Sequence, residues 1–410
     1  MNSIRIKPSK LHGRIVVPPS KSLSHRAIIC ASLSEKESKI NNLVLSEDIN
    51  ATIEGMKKLG ADINFSKNNA YIKRKETIDT NIAIDCNESG STLRFLIPLS
   101  MALNDNISFT GSNRLFERPL DVYYNIFTQQ KIDYMLNKNT LVIKGKLNPG
   151  TFEIPGHISS QFISGLLFSL PMLPNDSKII ITGKYESQSY VDMTIDVMGK
   201  FGVCIEKIDD KALYIQGKQK YKNAVYTVEG DYSQAAFYLV AKALGNEVQL
   251  TGLIDDSLQG DKEILAVIEK YKNSKEVEID ASQIPDLVPV IAVLAALKNN
   301  CKTVIKNAER LRIKESDRLK AISTELNKLG AMVRETRDGL NIEGKDSLKG
   351  DMSVNSWNDH RIAMSLAIAA TKCEHDIILE NYTVVNKSYP HFWEDYSSLG
   401  GKIIEFNNRQ

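Results

Sequence analysis

Two apolar patterns recur along the chain, and the first predicts buried helices. Six segments begin with capping or charged residues and then stay apolar on nearly every side of a helix. They are residues 20–33, 87–103, 157–170, 230–244, 282–297 and 355–370. A helix without a polar face must be buried. Its polar N-terminal end still needs solvent or partners, so we expect six buried helices with accessible starts.

The second pattern is a helix stopped by glycine and followed by a strand. It appears in GMKKLGADI (55–63), DVMGKFGVCI (196–205), TELNKLGAMV (324–333) and DYSSLGGKI (395–403), with weaker copies at 126–135 and 267–279. The spacing is about 70 residues, or nearer 60 in one place, which is typical of an internal repeat. Together the two patterns predict six βαβαββ-like α/β units. Six units are too many for one core, so we divide them three and three between two domains.

Composition narrows the class of protein. The 410 residues are 25% charged with a net charge of +2, so no basic field favours nucleic acid. Residues 1–10 lack the apolar core of a signal peptide, and no apolar run approaches the roughly 20 residues of a membrane span. The five cysteines have neither paired nor metal-type spacing. We therefore expect reduced core cysteines in a cytoplasmic protein, with no disulfide and no metal site.

The segment PPSKSLSHR at residues 18–26 is the first candidate for chemistry. Serines can cap a helix that starts here, and the first turn offers backbone N–H groups and the positive end of the helix dipole. Lys21 and Arg26 add two positive charges, and Ser22 and Arg26 lie four residues apart on one face. This combination predicts a phosphate-binding helix start. A solvated, capped helix start is the alternative for this stretch alone.

Further charged and polar residues fall at equivalent loops and helix starts of the repeats. The cations are Lys21, Arg26, Arg94, Arg118, Lys314, Arg318, Arg361 and Lys387. The hydroxyl and amide groups are Ser22, Ser159, Ser160, Gln161 and Ser187, with Tyr190 nearby, and the carboxylates are Asp286 and Glu315. So many cations fit two anionic substrates, at least one of them phosphorylated. We expect both domains to present these groups to a shared interdomain cleft.

Taken singly, several of these motifs also fit an ordinary structural role. KESDR (314–318) has the helical spacing of a surface ion-pair ladder. Asp286 and the NDHR segment (358–361) could simply cap helices. Neither G-x-G-x-x-G nor G-x-x-x-x-G-K-[ST] occurs, so a nucleotide phosphate loop is unsupported. It is the recurrence at equivalent repeat positions that favours a functional site.

The motifs together resemble one family over essentially the whole chain, the 5-enolpyruvylshikimate-3-phosphate synthases. They are PSKSLSHR (19–26), SGSTLR (89–94), ERPL (117–120), ISSQF (158–162), IPDLVP (284–289), KESDR (314–318), NDHRIAM (358–364) and NKSYPHF (386–392). The resemblance implies a two-domain inside-out α/β barrel with three βαβαββ repeats per domain. The implied N-terminal domain is 15–227. The implied C-terminal domain is 1–14 with 228–410, and the active site lies in the interdomain cleft.

The resemblance also implies roles for individual residues. Binding of shikimate-3-phosphate would involve Lys21, Ser22, Arg26, Ser159, Ser160, Gln161, Ser187, Asp286 and Lys314. Binding of phosphoenolpyruvate would involve Lys21, Gly90, Arg94, Arg118, Gln161, Arg318, Arg361 and Lys387. Asp286 and Glu315 would be the acid–base pair, with Lys21 as a further catalytic group and His360 beside them. The family also implies a monomer that needs no cofactor and is a glyphosate target. Glu88 and Arg310 depart from its usual pattern.

Two rival functions are weaker. A UDP-N-acetylglucosamine enolpyruvyl transferase shares the fold, but it needs a reactive cysteine in a loop that corresponds to residues 111–119, which contain none. A six-repeat clamp around DNA would need rows of Lys and Arg on its inner helices. The inner helices of this chain are apolar, so their composition argues against a clamp.

Overall fold

The computed structural model describes residues 2–75 and 82–406, and it divides into two compact units. The first, which we call the split unit, comprises Met1–Pro18 and Gly230–Gln410. The second, the continuous unit, comprises Pro19–Glu229. The predicted domains have similar but not identical limits, and their outermost residues 1 and 407–410 lie outside the described part.

The chain begins with two strands of the split unit, β1 (Ser3–Lys7) and β2 (His12–Val16). The predicted limit after residue 14 would cut through β2. Ile15 and Val16 pair with Leu250 and Thr251 in a parallel ladder, so they belong with the split unit.

In the residues that the structure describes, the continuous unit contains three sheets of four strands. Its helices are α1 (Lys21–Leu33), α2 (Glu47–Lys58), α3 (Gly90–Leu103), α4 (Asn113–Glu117), α5 (Asp121–Gln130), α6 (Ser160–Ser169) and α7 (Gln188–Lys200). Its strands are β3 (Ser38–Asn41), β4 (Ala61–Ser66), β5 (Asn69–Arg74), β6 (Ile82–Asp85), β7 (Asn106–Thr110), β8 (Asp133–Asn137), β9 (Thr140–Lys144), β10 (Thr151–Pro155), β11 (Ser177–Thr182), β12 (Glu206–Asp209), β13 (Ala212–Ile215) and β14 (Val225–Thr227). The strand orders are β14-β3-β5-β4, β6-β7-β9-β8 and β10-β11-β13-β12.

The split unit repeats this plan with one shortened sheet. Its helices are α8 (Tyr232–Ala243), α9 (Ile264–Lys270), α10 (Val288–Ala296), α11 (Arg318–Lys328), α12 (His360–Ala370) and α13 (Phe392–Ser398). Its further strands are β15 (Glu247–Thr251), β16 (Glu276–Asp280), β17 (Lys302–Lys306), β18 (Met332–Glu335), β19 (Leu340–Glu343), β20 (Met352–Asn355), β21 (Ile377–Glu380) and β22 (Lys402–Phe406). The strand orders are β16-β17-β19-β18, β20-β21-β1-β22 and β15-β2.

The first two strands in each sheet order pair in parallel. In the four-stranded sheets the other two strands add antiparallel pairings. The repeated α/β architecture predicted from the sequence is therefore confirmed, but the unit predicted around 267–279 is incomplete. Between α9 and β16 only residues 271–275 are available, which is too short for a two-stranded hairpin. The apolar alternation at 276–280 belongs to the next sheet, where β16 pairs with β17.

The six predicted inner helices are α1, α3, α6, α8, α10 and α12, and each unit packs three of them into its own apolar core. Five of them have an N-terminal cap whose side chain accepts a hydrogen bond from a backbone N–H of the helix. The cap residues are Ser20, Ser89, Ser159, Asp231 and Asp359. Such a cap contributes about 1 kcal/mol. The helix bodies are thus rigid supports, and what varies along the repeats is the polar residue at each start.

Four of the five cysteines are buried, and Cys204 is exposed. The expectation that all are core residues is wrong for Cys204, which lies between α7 and β12 rather than inside an element. None of the helices in the described part of the chain combines the length and apolar character needed to cross a bilayer.

Candidate active site

The start of α1 carries Lys21 in an ion pair. Its Nζ lies 2.7 Å from Oδ2 of Asp48, and both side chains are largely buried, with 17% and 14% of their surface exposed. Asp48 sits in the first turn of α2, which Ser46 caps. The sequence analysis did not identify Asp48. A carboxylate beside a capping serine at the head of a repeat helix is the signal that could have found it.

Arg26 is buried and connects α1 to α7. Its Nε donates to Oγ1 of Thr194 at 2.8 Å, and its terminal nitrogens donate to the carbonyl oxygens of Ser22 at 2.7 Å and Tyr190 at 2.9 Å. Burial lowers the pKa of Arg26 to about 10, so the guanidinium remains charged at neutral pH. In this arrangement Arg26 fixes the backbone around Ser22 and around the start of α7. Ser187 is the residue before α7 and adopts a left-handed φ of 52°.

A buried chain of hydroxyl groups joins the starts of the first three helices. Nδ1 of His25 lies 2.7 Å from Oγ1 of Thr52, which lies 2.7 Å from Oγ1 of Thr92, and Thr92 donates to Oγ of Ser89 at 2.7 Å. Burial lowers the pKa of His25 well below its usual value, and the charges of Lys21 and Arg26 add to the effect. His25 is therefore neutral, and it links α1 to α2 and α3 without adding charge.

Arg94 and Arg118 form a second cationic cluster, at the start of α3. Arg94 donates to Oε1 of Gln161 at 2.9 Å and to the carbonyl of Pro119 at 3.2 Å. Both guanidinium side chains belong to residues that are at most 5% exposed. A Cβ added to Gly90 would lie 2.7 Å from a terminal nitrogen of Arg118, so Gly90 leaves the space that this guanidinium occupies.

Gln161 extends the cluster to α6. Its amide nitrogen donates to Oγ of Ser91 at 2.9 Å, and its backbone N–H donates to Oγ of the cap residue Ser159. Ser160 is the first residue of α6. The packing of α3 against α6 depends on Gly165, where a Cβ would lie 2.3 Å from the Arg94 carbonyl oxygen. Close approach of the two helices therefore sets the position of the cluster.

The split unit carries a buried network of ions around Arg318. Its three nitrogens contact three carboxylates: Asp286 Oδ1 at 2.8 Å, Glu315 Oε2 at 2.8 Å and Asp359 Oδ2 at 2.7 Å. The Arg318 side chain is only 2% exposed. Asp359 was not identified from the sequence as a site residue, because NDHR was interpreted there only as a helix start. It does cap α12, since it accepts from the N–H of Arg361, but it also anchors Arg318.

Asp286 is the second centre of this network. Oδ2 lies 3.1 Å from Arg361, and Oδ1 lies 3.9 Å from Nζ of Lys314. Burial raises the pKa of Asp286, but the charges of Arg361, Lys314 and Arg318 outweigh burial and hold that pKa well below its usual range. Burial lowers the pKa of Lys314 to about 8, against the opposing charge of Asp286. An ionised carboxylate thus lies beside an amine whose pKa is about 8.

The KESDR segment differs locally from the prediction. Its residues were placed at helical spacing, but α11 begins only at Arg318, because Asp317 caps it by accepting from the N–H of Lys320 at 3.1 Å. Lys314 and Glu315 therefore lie in the loop before the helix. The contact between Glu315 and Arg318 is nonetheless present.

The remaining candidates surround the start of α12. His360 is its first residue and is buried. Lys387 is buried at the end of the turn Tyr382–Lys387, and its Nζ donates to the carbonyl of Asn358 at 2.8 Å. Arg310, left out of the predicted site, donates to the carbonyl of Ser282 at 2.6 Å. The structure thus gathers Asp286, Lys314, Glu315, Arg318 and Arg361 into one ion network. Lys387 is connected to it through Asn358, the residue before Asp359.

Comparison with known proteins shows the family of this chain. The EPSP synthase family, described as 3-phosphoshikimate 1-carboxyvinyltransferase, matches residues 6–396. Relatives with that name include one from Clostridium novyi, 51% identical over 99% of both chains, and one from Clostridium acetobutylicum, 52% identical with the same coverage.

Solved structures agree on the fold. An EPSP synthase from Acinetobacter baumannii superposes with a TM-score of 0.82 at 22% identity, over 99% of this chain and 100% of that one. An enolpyruvyl transferase from Streptomyces tendae gives 0.79 at 15% identity, over 98% of each chain. The fold is that of the enolpyruvyl transferases. Within that class, the chain belongs to the EPSP synthase family.

Proposed function

We propose that this protein transfers the enolpyruvyl group of phosphoenolpyruvate to the 5-hydroxyl of shikimate-3-phosphate and releases inorganic phosphate. Family membership across nearly the whole chain supports this reaction. The structural observation that carries it is the Asp286 carboxylate, which is 19% exposed, contacts Arg318 and Arg361, and lies beside Lys314. The three cations hold the pKa of this carboxylate low, so we propose that it accepts a proton once substrate anions offset their charge, and that the same cations then bind the phosphate leaving group.

The reaction requires two proton transfers that are later partly reversed. The 5-hydroxyl loses its proton as its oxygen attacks C2 of phosphoenolpyruvate, and the C3 methylene gains a proton to become a methyl group. The product of this addition is a tetrahedral ketal that still carries the phosphate. Elimination then removes a proton from the methyl group and breaks the C–O bond to phosphate. We assign the proton transfers to Asp286 and Glu315, with Lys21 stabilising the developing charge.

The remaining residues divide by substrate. We propose that Ser22, Arg26, Ser159, Ser160, Gln161, Ser187 and Lys314 hold shikimate-3-phosphate. We propose that Gly90, Arg94, Arg118, Arg318, Arg361 and Lys387, with Lys21 and Gln161, surround phosphoenolpyruvate. In the structure Lys21 contacts Asp48 and Arg361 contacts Asp286. These carboxylates would keep the two cations oriented before substrates bind. Substrate anions would then compete with the carboxylates for the cations.

Cytoplasmic location, a monomeric state, the absence of a cofactor and the absence of nucleic-acid or membrane partners stay predictions from the sequence. The rival acceptor UDP-N-acetylglucosamine is disfavoured because α4 and its flanking loop, residues 111–119, contain no cysteine.

The proposed function is tested by measuring phosphate release from phosphoenolpyruvate with each of the two acceptors. We expect release that depends on shikimate-3-phosphate, and none above background with UDP-N-acetylglucosamine. Release with the nucleotide sugar alone would reverse the assignment, and release without any acceptor would indicate a phosphatase.

The pKa of Lys314 gives a pH prediction. Because that pKa is about 8, the ammonium form predominates below pH 8 and is lost as the pH rises through this value. If the ammonium binds shikimate-3-phosphate, kcat/KM for this substrate should fall above pH 8. Lys314→Arg places at this position a guanidinium with a pKa above about 12, so the alkaline decline should move to higher pH. A decline at the same pH in both enzymes would exclude Lys314 as its cause.

A further inference from the structure

The turn that leads into α12 has an unusual backbone. Trp357 and Asn358 are consecutive and both adopt the left-handed region, with φ of 53° and 55°. Asparagine tolerates this region, but a bulky residue such as tryptophan seldom adopts it. Neighbouring groups must therefore hold the turn in this conformation.

Two side chains hold it at Trp357: Oδ1 of Asn355 accepts from the backbone N–H of Trp357 at 2.6 Å, and Glu325 binds the indole. Oε1 of Glu325 accepts from the indole Nε1–H of Trp357 at 2.7 Å, and its Oε2 accepts from the backbone N–H of Asn355 at 3.0 Å. Lys328 also donates to both oxygens, at 3.0 and 2.8 Å. The Glu325 side chain is 1% exposed, so these are buried, charge-assisted hydrogen bonds, which are stronger than neutral ones.

The Trp357–Asn358 turn also positions the side chains around the start of α12. The carbonyl of Asn358 accepts from Nζ of Lys387, and the next residue, Asp359, anchors Arg318 and caps the helix at the N–H of Arg361. Glu325 is two helical turns after Arg318 on α11, so it lies on the same face of that helix. One helix thus supports both the central arginine and the turn that carries its partner Asp359.

We propose that Glu325 is a positioning residue for the phosphoenolpyruvate side of the site, acting through the Trp357 indole N–H. Its carboxylate fixes the Trp357–Asn358 turn, and the turn fixes Lys387 and Arg361. This inference rests on the proposed function, which assigns those two cations to phosphoenolpyruvate. Glu325 itself touches no substrate in this scheme.

The test compares three variants in steady-state kinetics with both substrates. Trp357→Phe keeps an aromatic ring but removes the indole N–H donor. Glu325→Gln keeps the size of the side chain but places an NH2 group against the N–H donors that now bind the carboxylate. Each should raise KM for phosphoenolpyruvate about tenfold, equivalent to roughly 1.4 kcal/mol. The KM for shikimate-3-phosphate should change less than about twofold, since its proposed ligands lie elsewhere.

Lys328→Arg is the matched control, because it changes a residue that bonds the same carboxylate while keeping a positive charge beside Glu325. It should leave both KM values unchanged. A purely structural role for Glu325 predicts a different result: a smaller folded fraction lowers the apparent kcat and leaves KM for phosphoenolpyruvate as in wild type. That result, or equal KM changes in all three variants, would overturn the proposal.

Failure of the proposed function is distinguishable from failure of this inference. If the wild type has no turnover with the two substrates, the proposed function fails, and the emission of Trp357 still reports on the turn. The chain has two tryptophans, so Trp393→Phe leaves Trp357 as the reporter. In that background Glu325→Gln should shift the emission to the red and Lys328→Arg should not. No shift with Glu325→Gln would overturn the role of Glu325 in holding the turn.

Discussion

Asp286→Asn should reduce kcat by about two orders of magnitude or more while both substrates still bind. The change keeps the shape of the side chain and removes the carboxylate to which we assign a proton transfer. In the structure Asp286 is ionised because Arg361, Lys314 and Arg318 outweigh its burial. An amide cannot take a proton from the substrate, and it also leaves Arg318 and Arg361 with a weaker partner. Turnover is measured at saturating concentrations of both substrates.

Glu315→Gln should have an effect of similar size, about two orders of magnitude in kcat, if Glu315 is the second proton-transfer group. Asp317→Asn is a matched control in the same loop. Asp317 caps α11 and pairs with Arg312, and asparagine is an equally good cap. Its variant should retain nearly full turnover. Near-normal turnover in Asp286→Asn or Glu315→Gln would reduce that carboxylate to a structural ion-pair partner.

Gly90→Ala should raise KM for phosphoenolpyruvate by about ten- to hundredfold, the roughly 1–3 kcal/mol typical of overpacking. The added methyl would lie 2.7 Å from a terminal nitrogen of Arg118 and 3.0 Å from its Cζ, so the guanidinium must move. Arg118 is one of the cations assigned to phosphoenolpyruvate. The loss should therefore be specific for this substrate and leave the affinity for shikimate-3-phosphate nearly unchanged.

Glyphosate extends the same prediction, because the family resemblance implies that it occupies the proposed phosphoenolpyruvate site. The wild-type enzyme should be sensitive, and Gly90→Ala should weaken inhibition more than it weakens substrate binding. Gly199→Ala is the control: Gly199 lies in α7, and a Cβ there would meet nothing within 4 Å. A resistant wild type, or equal weakening of both substrates in Gly90→Ala, would contradict the placement of Gly90.

The repeated architecture could be predicted from sequence because it rests on local patterns. A helix such as α10, with every residue buried, shows its burial directly as an unbroken apolar run. The caps Ser20, Ser89 and Ser159 immediately precede three of the buried helices, which begin with polar residues and continue as apolar ones. The incomplete unit around residues 267–279 could not be predicted in the same way, because the alternating residues of β16 fit equally well as a strand of either of two neighbouring units.

The site was harder to predict where one side chain has two roles. Asp359 looks like a helix cap in the sequence, and its ion pair with Arg318 depends on a residue 41 positions away. Asp48 is likewise joined to Lys21 only by the packing of α2 against α1. Arg26 was correctly recognised as a cation at a helix start, but its three hydrogen bonds to Thr194, Ser22 and Tyr190 are long-range or backbone contacts that no motif reveals.

The central claim is tested most directly by identifying the products formed from phosphoenolpyruvate and shikimate-3-phosphate in D2O. Phosphorus NMR and mass spectrometry follow every phosphorus-containing species in one sample. We predict equal amounts of free phosphate and a new enol ether that retains the 3-phosphate, with deuterium in its methylene group, because the addition step protonates C3 from exchangeable hydrogens. Pyruvate and phosphate with unchanged shikimate-3-phosphate, or an enol ether without deuterium, would contradict the proposed addition and elimination.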